Sequence, residues 1–545
     1  MYIEKVCIEN YKCFKGKFTL NLTSGVNLIV GRNESGKSTI LEAINLALSG
    51  ILNGKYLRNE LSQYLFNNDT VKQFVSEINL GNKTPPPEIV IELFFAGGEY
   101  PMFEGNWNSN KENKKSGIVF KIEIDPDYQS AYEEYLQHTN KIITIPIEYY
   151  RITWKSFARD AVTTRNVPIK SVLIDSSSTK YQNGSDVYLS RIINNDLEEN
   201  ERILLSQAYR KMKESFIGDA SIIELNKKVK SSSRITDKNI LISVDLQTQN
   251  SWESSLMTYL DEIPFHQIGK GEQCIIKTNL ALSHKKSKEA QIILLEEPEN
   301  HLSHTKLNEL LRCITQTNPE KQLIVSTHSS FVANKLGLEN LILLFNMKSM
   351  RLEELPKDTI NFFKKLPGYQ TLRLLLCKKA VLVEGDSDEL IFQKAYMKSH
   401  DGRLPIEMGI DVISVGLSFK RFLDIARLIN QPVVIITDND HKYEDHVVKK
   451  YSEYQEEQDC GEIKIFFDTR NHLNTLEPQF VDANQQNLDG LCEILGVDKN
   501  KTDKDRLVDH MKSDKPGWAL KIFESEKEIR FPEYIAKAVE WCDEE

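Results

Sequence analysis

The chain has 545 residues, 40% of them hydrophobic, which is enough for two to four domains with substantial cores. A formal net charge of −10 argues against a protein that coats nucleic acid by bulk electrostatics, although it leaves room for a local basic groove. No apolar run is long enough to span a bilayer, Met1-Tyr2-Ile3-Glu4-Lys5 is not the start of a signal peptide, and the eight cysteines form no C-x-x-C pair; a cytoplasmic chain with reduced thiols is expected.

Tyr2-Ile3, Val6 and Ile8 alternate as a strand does, and residues 18–22 read as a second strand. The apolar run 26–30 leads directly into Gly31-Arg32-Asn33-Glu34-Ser35-Gly36-Lys37-Ser38, a G-x-x-x-x-G-K-S phosphate-binding loop. Its glycines let backbone N–H groups curl around a phosphate chain, Lys37 supplies charge to the outer phosphates, and the Ser38 hydroxyl suits Mg²⁺. ATP contacts are therefore expected from Asn33, Gly36, Lys37, Ser38 and Thr39. A helix is expected over 39–48, with Ile40, Leu41, Ile44 and Leu48 as its apolar stripe.

Residues 88–95 and 119–124 read as strands around an exposed polar loop at 97–117. From 156 to 237 the chain turns serine-rich and then charged and helical, as an insertion between two halves of a nucleotide-binding domain would. Strand signals return at 240–244, 291–295 and 323–326. After a connector come strands at 380–383, 412–415, 433–436 and 463–466, separated by helical lengths, which indicates a second, doubly wound α/β domain. No heptad pattern is long enough for a coiled-coil arm. The expected boundaries are 1–155 and 238–346 for the ATPase, 156–237 for the insertion, 347–378 for the connector and 379–545 for the C-terminal domain.

Glu296 and Glu297 end the buried run 291–295, where carboxylates coordinate Mg²⁺ through water and orient an attacking water. His328 closes the next strand, and His266-Gln267-Ile268-Gly269-Lys270-Gly271-Glu272-Gln273 lies upstream. With the phosphate loop, this ordered set resembles the ABC-type ATPases of the RecF and SMC group. The resemblance implies that 269–273 is the signature motif, with Gly269, Lys270 and Gly271 capping ATP on the partner head, Glu296 on its Mg²⁺, and His328 at the terminal phosphate. Lys270 replaces the usual small hydroxyl residue and Glu296 the usual aspartate, so slow or switch-like hydrolysis is expected.

Glu384-Gly385-Asp386-Ser387-Asp388 and Asp438-Asn439-Asp440 each follow a buried strand. Period-two geometry is expected to turn Asp438 and Asp440 to one side, and hard oxygen ligands at strand ends suit Mg²⁺ or Mn²⁺. The pair resembles the Toprim domain, and behind an ABC-type ATPase it is similar to the OLD (overcoming lysogenization defect) nucleases, which include Gabija and some retron defence effectors. Residues 415–422, 474–477 and 515–520 add to the likeness. The resemblance implies that Glu384, Asp388, Asp438, Asp440 and Glu477 hold two metals and that Lys515 sits beside the scissile phosphate. Asp386 and Glu389 are expected to face solvent, and His441 and His472 to be surface residues.

The fold expected is thus α/β: an N-terminal ABC-type P-loop ATPase with a helical insertion, followed by a C-terminal Toprim domain. The function implied is a nucleotide-regulated, metal-dependent endonuclease or nickase acting on DNA in anti-phage defence, with no membrane association. A homodimer or higher even-numbered assembly joined through the insertion is expected, with a further protein or nucleic acid of the same defence system as possible partner. Closure of the dimer would bring Arg32, Lys270, Lys420 and Arg421 toward anionic ligands. The alternatives are an ATP-dependent nucleic-acid clamp or sensor and a Toprim ribonuclease acting on RNA.

Overall fold

The computed structural model describes the chain except residues 54, 113, 139–140, 176–180, 183–184, 187–196, 233–242, 244–258, 284–288, 318, 346, 352–354, 366–368, 499–502 and 545. The strand expected at 240–244 lies outside the described residues, Ser243 apart. Two compact units emerge: Met1–Asn27 with Gly36–Thr327, and Leu28–Ser35 with His328–Glu545. The first boundary falls inside the phosphate loop, between Ser35 and Gly36.

β1 (Tyr2–Glu9) and β2 (Lys17–Asn21) open the first unit, and β3 (Val26–Gly31) leads to the boundary. α1 (Lys37–Ser49) runs between Gly36 and Gly50, both in left-handed backbone. It extends beyond the expected 39–48, and Ala43, Leu46 and Ala47 are buried as well as the expected stripe, because the helix is enclosed on most of its surface. β4 (Ile89–Ala96), β5 (Lys115–Ile124) and β6 (Tyr150–Ser156) extend an antiparallel sheet in the order β2-β1-β4-β5-β6, and the short strand Glu104–Gly105 adds a sixth member by pairing with the start of β5. A register shift between Ile3 and Lys5 explains why the buried alternation slips from Ile3 to Val6 and Ile8. The expected exposed loop at 97–117 is only partly so, since β5 begins at Lys115 and Phe103 and Asn108 are buried.

β7 (Ser171–Asp175) lies within the stretch expected to be inserted, yet it pairs in parallel with a strand of the nucleotide-binding domain, Val172 opposite Ile293. That partner is β8 (Ile292–Glu296), itself parallel to β9 (Gln322–Thr327) with Leu294 opposite Ile324. The apolar character of Val172-Leu173-Ile174 was hidden by the serine-rich sequence that follows. Beyond it, α2 (Glu199–Ile217) and α3 (Ala220–Ser232) supply the helical part of the expected insertion, and α4 (Lys270–Ser283) follows.

In the second unit β3 pairs in parallel with β10 (Leu341–Phe345), Val30 opposite Leu343. Helices Lys357–Lys365 and Tyr369–Leu376 occupy the connector. Then come β11 (Lys379–Val383), α5 (Asp386–Ser399), β12 (Ile410–Ser414), α6 (Phe419–Ile429), β13 (Val433–Ile436) and β14 (Ile463–Phe466). All four strands are parallel, in the order β12-β11-β13-β14. The chain leaves β11 for β12 on one side and then crosses to β13 on the other. That reversal is a topological switch point, where open α/β sheets place their ligands at the carboxyl ends of the strands. α7 (Leu476–Ala483), α8 (Lys515–Glu524) and α9 (Glu533–Asp543) cover the sheet through a core that includes Val381, Phe392, Phe480, Trp518 and Ile535.

Candidate functional site

The first candidate site is the loop between β3 and α1. Gly36 has φ +96°, and a Cβ there would stand 2.7 Å from Phe14 Cζ and 2.9 Å from Cys13 Sγ, so conformation and space both require glycine. The Ser35 N–H donates to Arg32 O (3.2 Å) and closes the turn. Ser35 Oγ is buried with no hydrogen-bond partner among the described residues, the kind of polar atom a bound phosphate satisfies. Asn33 and Ser38 are exposed, and Thr39 is half-buried with Cys13 Sγ at 3.5 Å.

Lys37 is buried, and burial pulls its ammonium below the ordinary lysine range while Glu297, Glu299 and Glu296 each push it back up. Glu297 is pinned at φ +38° by its N–H, which donates to Ser326 O (3.0 Å), and its Oε2 accepts from Asn300 Nδ2 (2.8 Å). Glu299 accepts from Thr327 Oγ1 (2.6 Å). Sequence reasoning stopped at Glu296 and Glu297; the third acid of Glu296-Glu297-Pro298-Glu299 was the available signal.

Lys270 opens α4 exposed, and Gln273 Nε2 fixes the preceding turn by donating to Phe265 O and Ile268 O, both at 2.9 Å. Gly271 lies so close to His301 that a Cβ would come within 2.4 Å of its carbonyl oxygen. A Cβ at Gly269 would meet nothing within 4 Å, so the fold's own packing does not demand that glycine. His328 follows β9, and Ser329 caps the next helix by accepting from Val332 N–H (3.4 Å).

The second candidate site is the acidic crevice at the switch point of the C-terminal sheet. Glu384 follows β11 directly, and Gly416 N donates to its carbonyl (3.1 Å). Asp388 stands in the first turn of α5, its Oδ2 accepting from Gly385 N–H (3.0 Å). Asp438 and Asp440 lie beyond the end of β13, and Asp440 is in left-handed backbone (φ +47°). The expected pleat geometry therefore does not operate there. The turn is held instead by buried Asn439, whose Nδ2 donates to Asp468 O (2.8 Å), Leu473 O (3.0 Å) and Arg470 O (3.2 Å).

Glu477 arrives from the start of α7, 2% exposed, accepting from Thr475 Oγ1 (2.8 Å). Lys515 begins α8; its Nζ lies 3.7 Å from Glu477 Oε1 and its carbonyl accepts from Ser387 Oγ (2.9 Å).

These carboxylates feel one another. Burial first, then Asp388, Glu384, Glu477 and Asp440, push Asp438 up to about 9. Burial and Glu384 push Asp388 up to about 7, against the Gly385 N–H that favours its charged form. Glu384 is raised by burial and Asp440, with Lys515 and Lys450 acting in opposition. Asp438 Oδ1 is buried and lacks a hydrogen-bond partner among the described residues. No group of three or more His, Cys, Asp or Glu side chains among the described residues is already drawn together around a single metal position. The donor set nonetheless fits hard divalent cations: carboxylate oxygens only, mutually repelling, with one buried oxygen unsatisfied.

Two neighbours were not legible in the sequence. Lys450 acts on Glu384, and the hydroxyl of Tyr451, 1% exposed, has no hydrogen-bond partner among the described residues and feels Glu384 as its charged neighbour. Both follow a π-helical turn at Glu444–Val448, a local irregularity that no periodic pattern reveals.

Arg32 is bonded to Cys377 O and Gln431 Oε1, Lys420 to Glu453 (2.6 Å) and Arg421 to Thr359 Oγ1 (3.0 Å), so each already has a partner within its own unit. Glu389 does not face solvent: it is half-buried, with Arg373 Nη2 at 4.0 Å. Asp386, His441 and His472 are exposed as expected. No disulfide joins the described cysteines, and no described helix is long and apolar enough to cross a membrane.

Comparison with known proteins matches residues 1–333 to the AAA ATPase domain and residues 375–440 to the TOPRIM domain of overcoming lysogenization defect protein-like proteins. Endonuclease GajA of Bacillus cereus (strain HuB5-5) is 20% identical over 564 aligned positions, which cover 88% of this chain and 81% of GajA. Among solved structures, an Smc head bound to the C-terminal winged-helix domain of ScpA is 16% identical with a TM-score of 0.32, covering 65% of this chain and 99% of that one. The C-terminal region of the Burkholderia pseudomallei OLD protein is 20% identical with a TM-score of 0.25, covering 31% of this chain and 97% of that one.

Proposed function

This chain belongs to the AAA ATPase domain family and joins that domain to an OLD-like TOPRIM domain, and from that premise we propose a nucleotide-controlled, divalent-metal-dependent endonuclease or nickase that acts on DNA in anti-phage defence. The observation that carries the proposal is the convergence of Glu384, Asp388, Asp438, Asp440 and Glu477 on one crevice, with Asp438 and Asp388 held well above the carboxylate range. Such a cluster is unfavourable without compensating positive charge.

When bound, two divalent ions would ready a water for attack and stabilise the leaving oxygen of an in-line displacement at phosphorus. The chain's own residues do the rest. The five carboxylates hold the ions, and the Asn439 network fixes the turn that aims Asp438 and Asp440. Lys515, exposed at the rim, donates N–H to the phosphate and offsets its developing charge.

At the phosphate loop, Lys37, Ser38 and the backbone from Asn33 to Thr39 bind ATP with Mg²⁺, and Glu296 and Glu297 face them on the acidic side. Gly269, Lys270, Gly271 and His328 cap nucleotide across a homodimer of heads. The exposed apolar side chains Leu204, Met212 and Phe216 on α2 and Ile223 on α3 support a dimer contact through the inserted helices.

Supercoiled plasmid, linear DNA and structured RNA, each incubated with the protein and Mg²⁺ or Mn²⁺ with and without ATP, test the reading. Metal-dependent cutting of DNA is expected. Cutting of RNA alone moves the substrate to RNA; ATP-dependent DNA retention without cutting of any polymer makes the protein a clamp.

Lys37→Ala is expected to weaken binding of a fluorescent ATP analogue by about 30-fold or more, roughly the 2 kcal/mol of a charge-assisted contact. Its cleavage rate should no longer differ with and without ATP. Equal, nucleotide-insensitive cutting by the parent and the variant removes nucleotide control from the proposal.

A further inference from the structure

The phosphate loop is tied to the sheet that carries the acidic crevice. Arg32 Nη2 donates to the Cys377 carbonyl and to Gln431 Oε1 (2.9 Å). Gln431, 1% exposed, in turn donates through Nε2 to Lys378 O (2.7 Å) and Cys377 O (3.2 Å). Cys377 and Lys378 immediately precede β11, and Gln431 stands just before β13. The two strands are adjacent and parallel, with Ala380 opposite Val433 and Leu382 opposite Ile435. At their far ends stand Glu384 and Asp438. Leu28–Ser35 and both strands lie within one compact unit, and the Arg32 guanidinium also packs over the Phe345 ring at 5.8 Å.

We propose that Arg32 is a positioning residue of the acidic site: a strut that transmits occupancy of the phosphate loop along β11 and β13 to Glu384 and Asp438. The inference rests on the nucleotide-controlled nuclease reading and supplies its route. A phosphate chain is held by backbone N–H groups of the loop, and the Ser35 N–H is bonded to Arg32 O. Nucleotide that draws on that N–H competes with this bond and shifts the Arg32 backbone.

A single guanidinium nitrogen, Nη2, is held to acceptors at the entry of both strands, so the shift is delivered to the pair of strands together. Hydrogen-bonded strands move as units, and a catalytic carboxylate displaced by about 1 Å loses about 10²-fold in rate. Small loop movements are therefore sufficient for control.

Plasmid nicking with Mn²⁺, measured with and without a non-hydrolysable ATP analogue, tests the strut in the full-length parent, Arg32→Ala, Arg32→Lys and Gln431→Met. The parent's two rates should differ by about 5-fold or more, the lower end of ordinary coupling between sites. In Arg32→Ala and Gln431→Met the ratio should fall to within about 2-fold of unity while a fluorescent ATP analogue still binds. Arg32→Lys, which keeps the charge but not the rigid planar guanidinium, should recover part of the ratio.

A parent-like ratio in both Arg32→Ala and Gln431→Met overturns the strut and leaves nucleotide control standing. A parent that ignores nucleotide overturns nucleotide control itself, and the strut with it. If Arg32→Ala no longer binds nucleotide, Gln431→Met decides, because its phosphate loop is unaltered; its loss of response upholds the strut and a parent-like response overturns it.

Discussion

Glu384→Gln and Asp438→Asn are each expected to lower the rate of metal-supported plasmid cleavage by about 10³-fold or more, a loss of about 4 kcal/mol of transition-state stabilisation. Each substitution keeps the side chain's volume and removes one anionic oxygen donor from the end of a central strand. The fold should survive both, since Glu384 and Asp438 lie just beyond strands whose buried residues, Val381, Val383, Val434 and Ile436, form the core beneath them. Asp386→Asn is the control: Asp386 is exposed in the same turn and should leave the rate within about 2-fold of the parent, as surface substitutions usually do. Cleavage within 10-fold of the parent in either crevice variant would remove the acidic cluster from the chemistry.

The same cluster sets the pH dependence of stability. Asp438 is pushed up to about 9 and Asp388 to about 7, so the folded chain keeps protons that the unfolded chain has already released. Between about pH 4 and pH 9 the folded state binds more protons, and its stability falls as pH rises. In EDTA, Asp438→Asn should therefore melt higher than the parent at pH 8, by about 3 °C or more, and the difference should shrink steadily as the pH is lowered toward about 4.

Divalent cations act in the opposite direction, because they bind the deprotonated cluster. At about 100 times its dissociation constant, Mn²⁺ adds about 2.7 kcal/mol. The parent should gain more from Mn²⁺ at pH 8 than at pH 6, and Asp438→Asn should gain less than the parent at pH 8. Thermal melts at these pH values decide the matter. A variant that melts lower than the parent at pH 8 in EDTA, or an equal Mn²⁺ gain in both proteins, is incompatible with a cluster under mutual repulsion.

The sequence alone determined the parts that are local. A G-x-x-x-x-G-K-S loop between an apolar run and a helix, and acids placed directly after apolar runs, are contiguous patterns whose chemistry follows from residue type and spacing. The expected strands at 380–383, 433–436 and 463–466 coincide with β11, β13 and β14 for that reason. What misled the reading was also local: a serine-rich run of sequence hid β7, and a left-handed residue at Asp440 replaced the expected pleat.

Only the tertiary structure decided what the chain crossing brings together. The order β12-β11-β13-β14 makes Glu384 and Asp438 neighbours across a switch point, and α7 and α8 add Glu477 and Lys515 from far along the chain. Glu299 near Lys37, Tyr451 near Glu384 and the bond from Arg32 to Gln431 have no sequence pattern, because each depends on packing between segments that periodicity treats separately. Burial did the remainder. Residue type says that Asp438 is an acid, but desolvation and four neighbouring carboxylates raise it to about 9, and that is a property of the folded crevice.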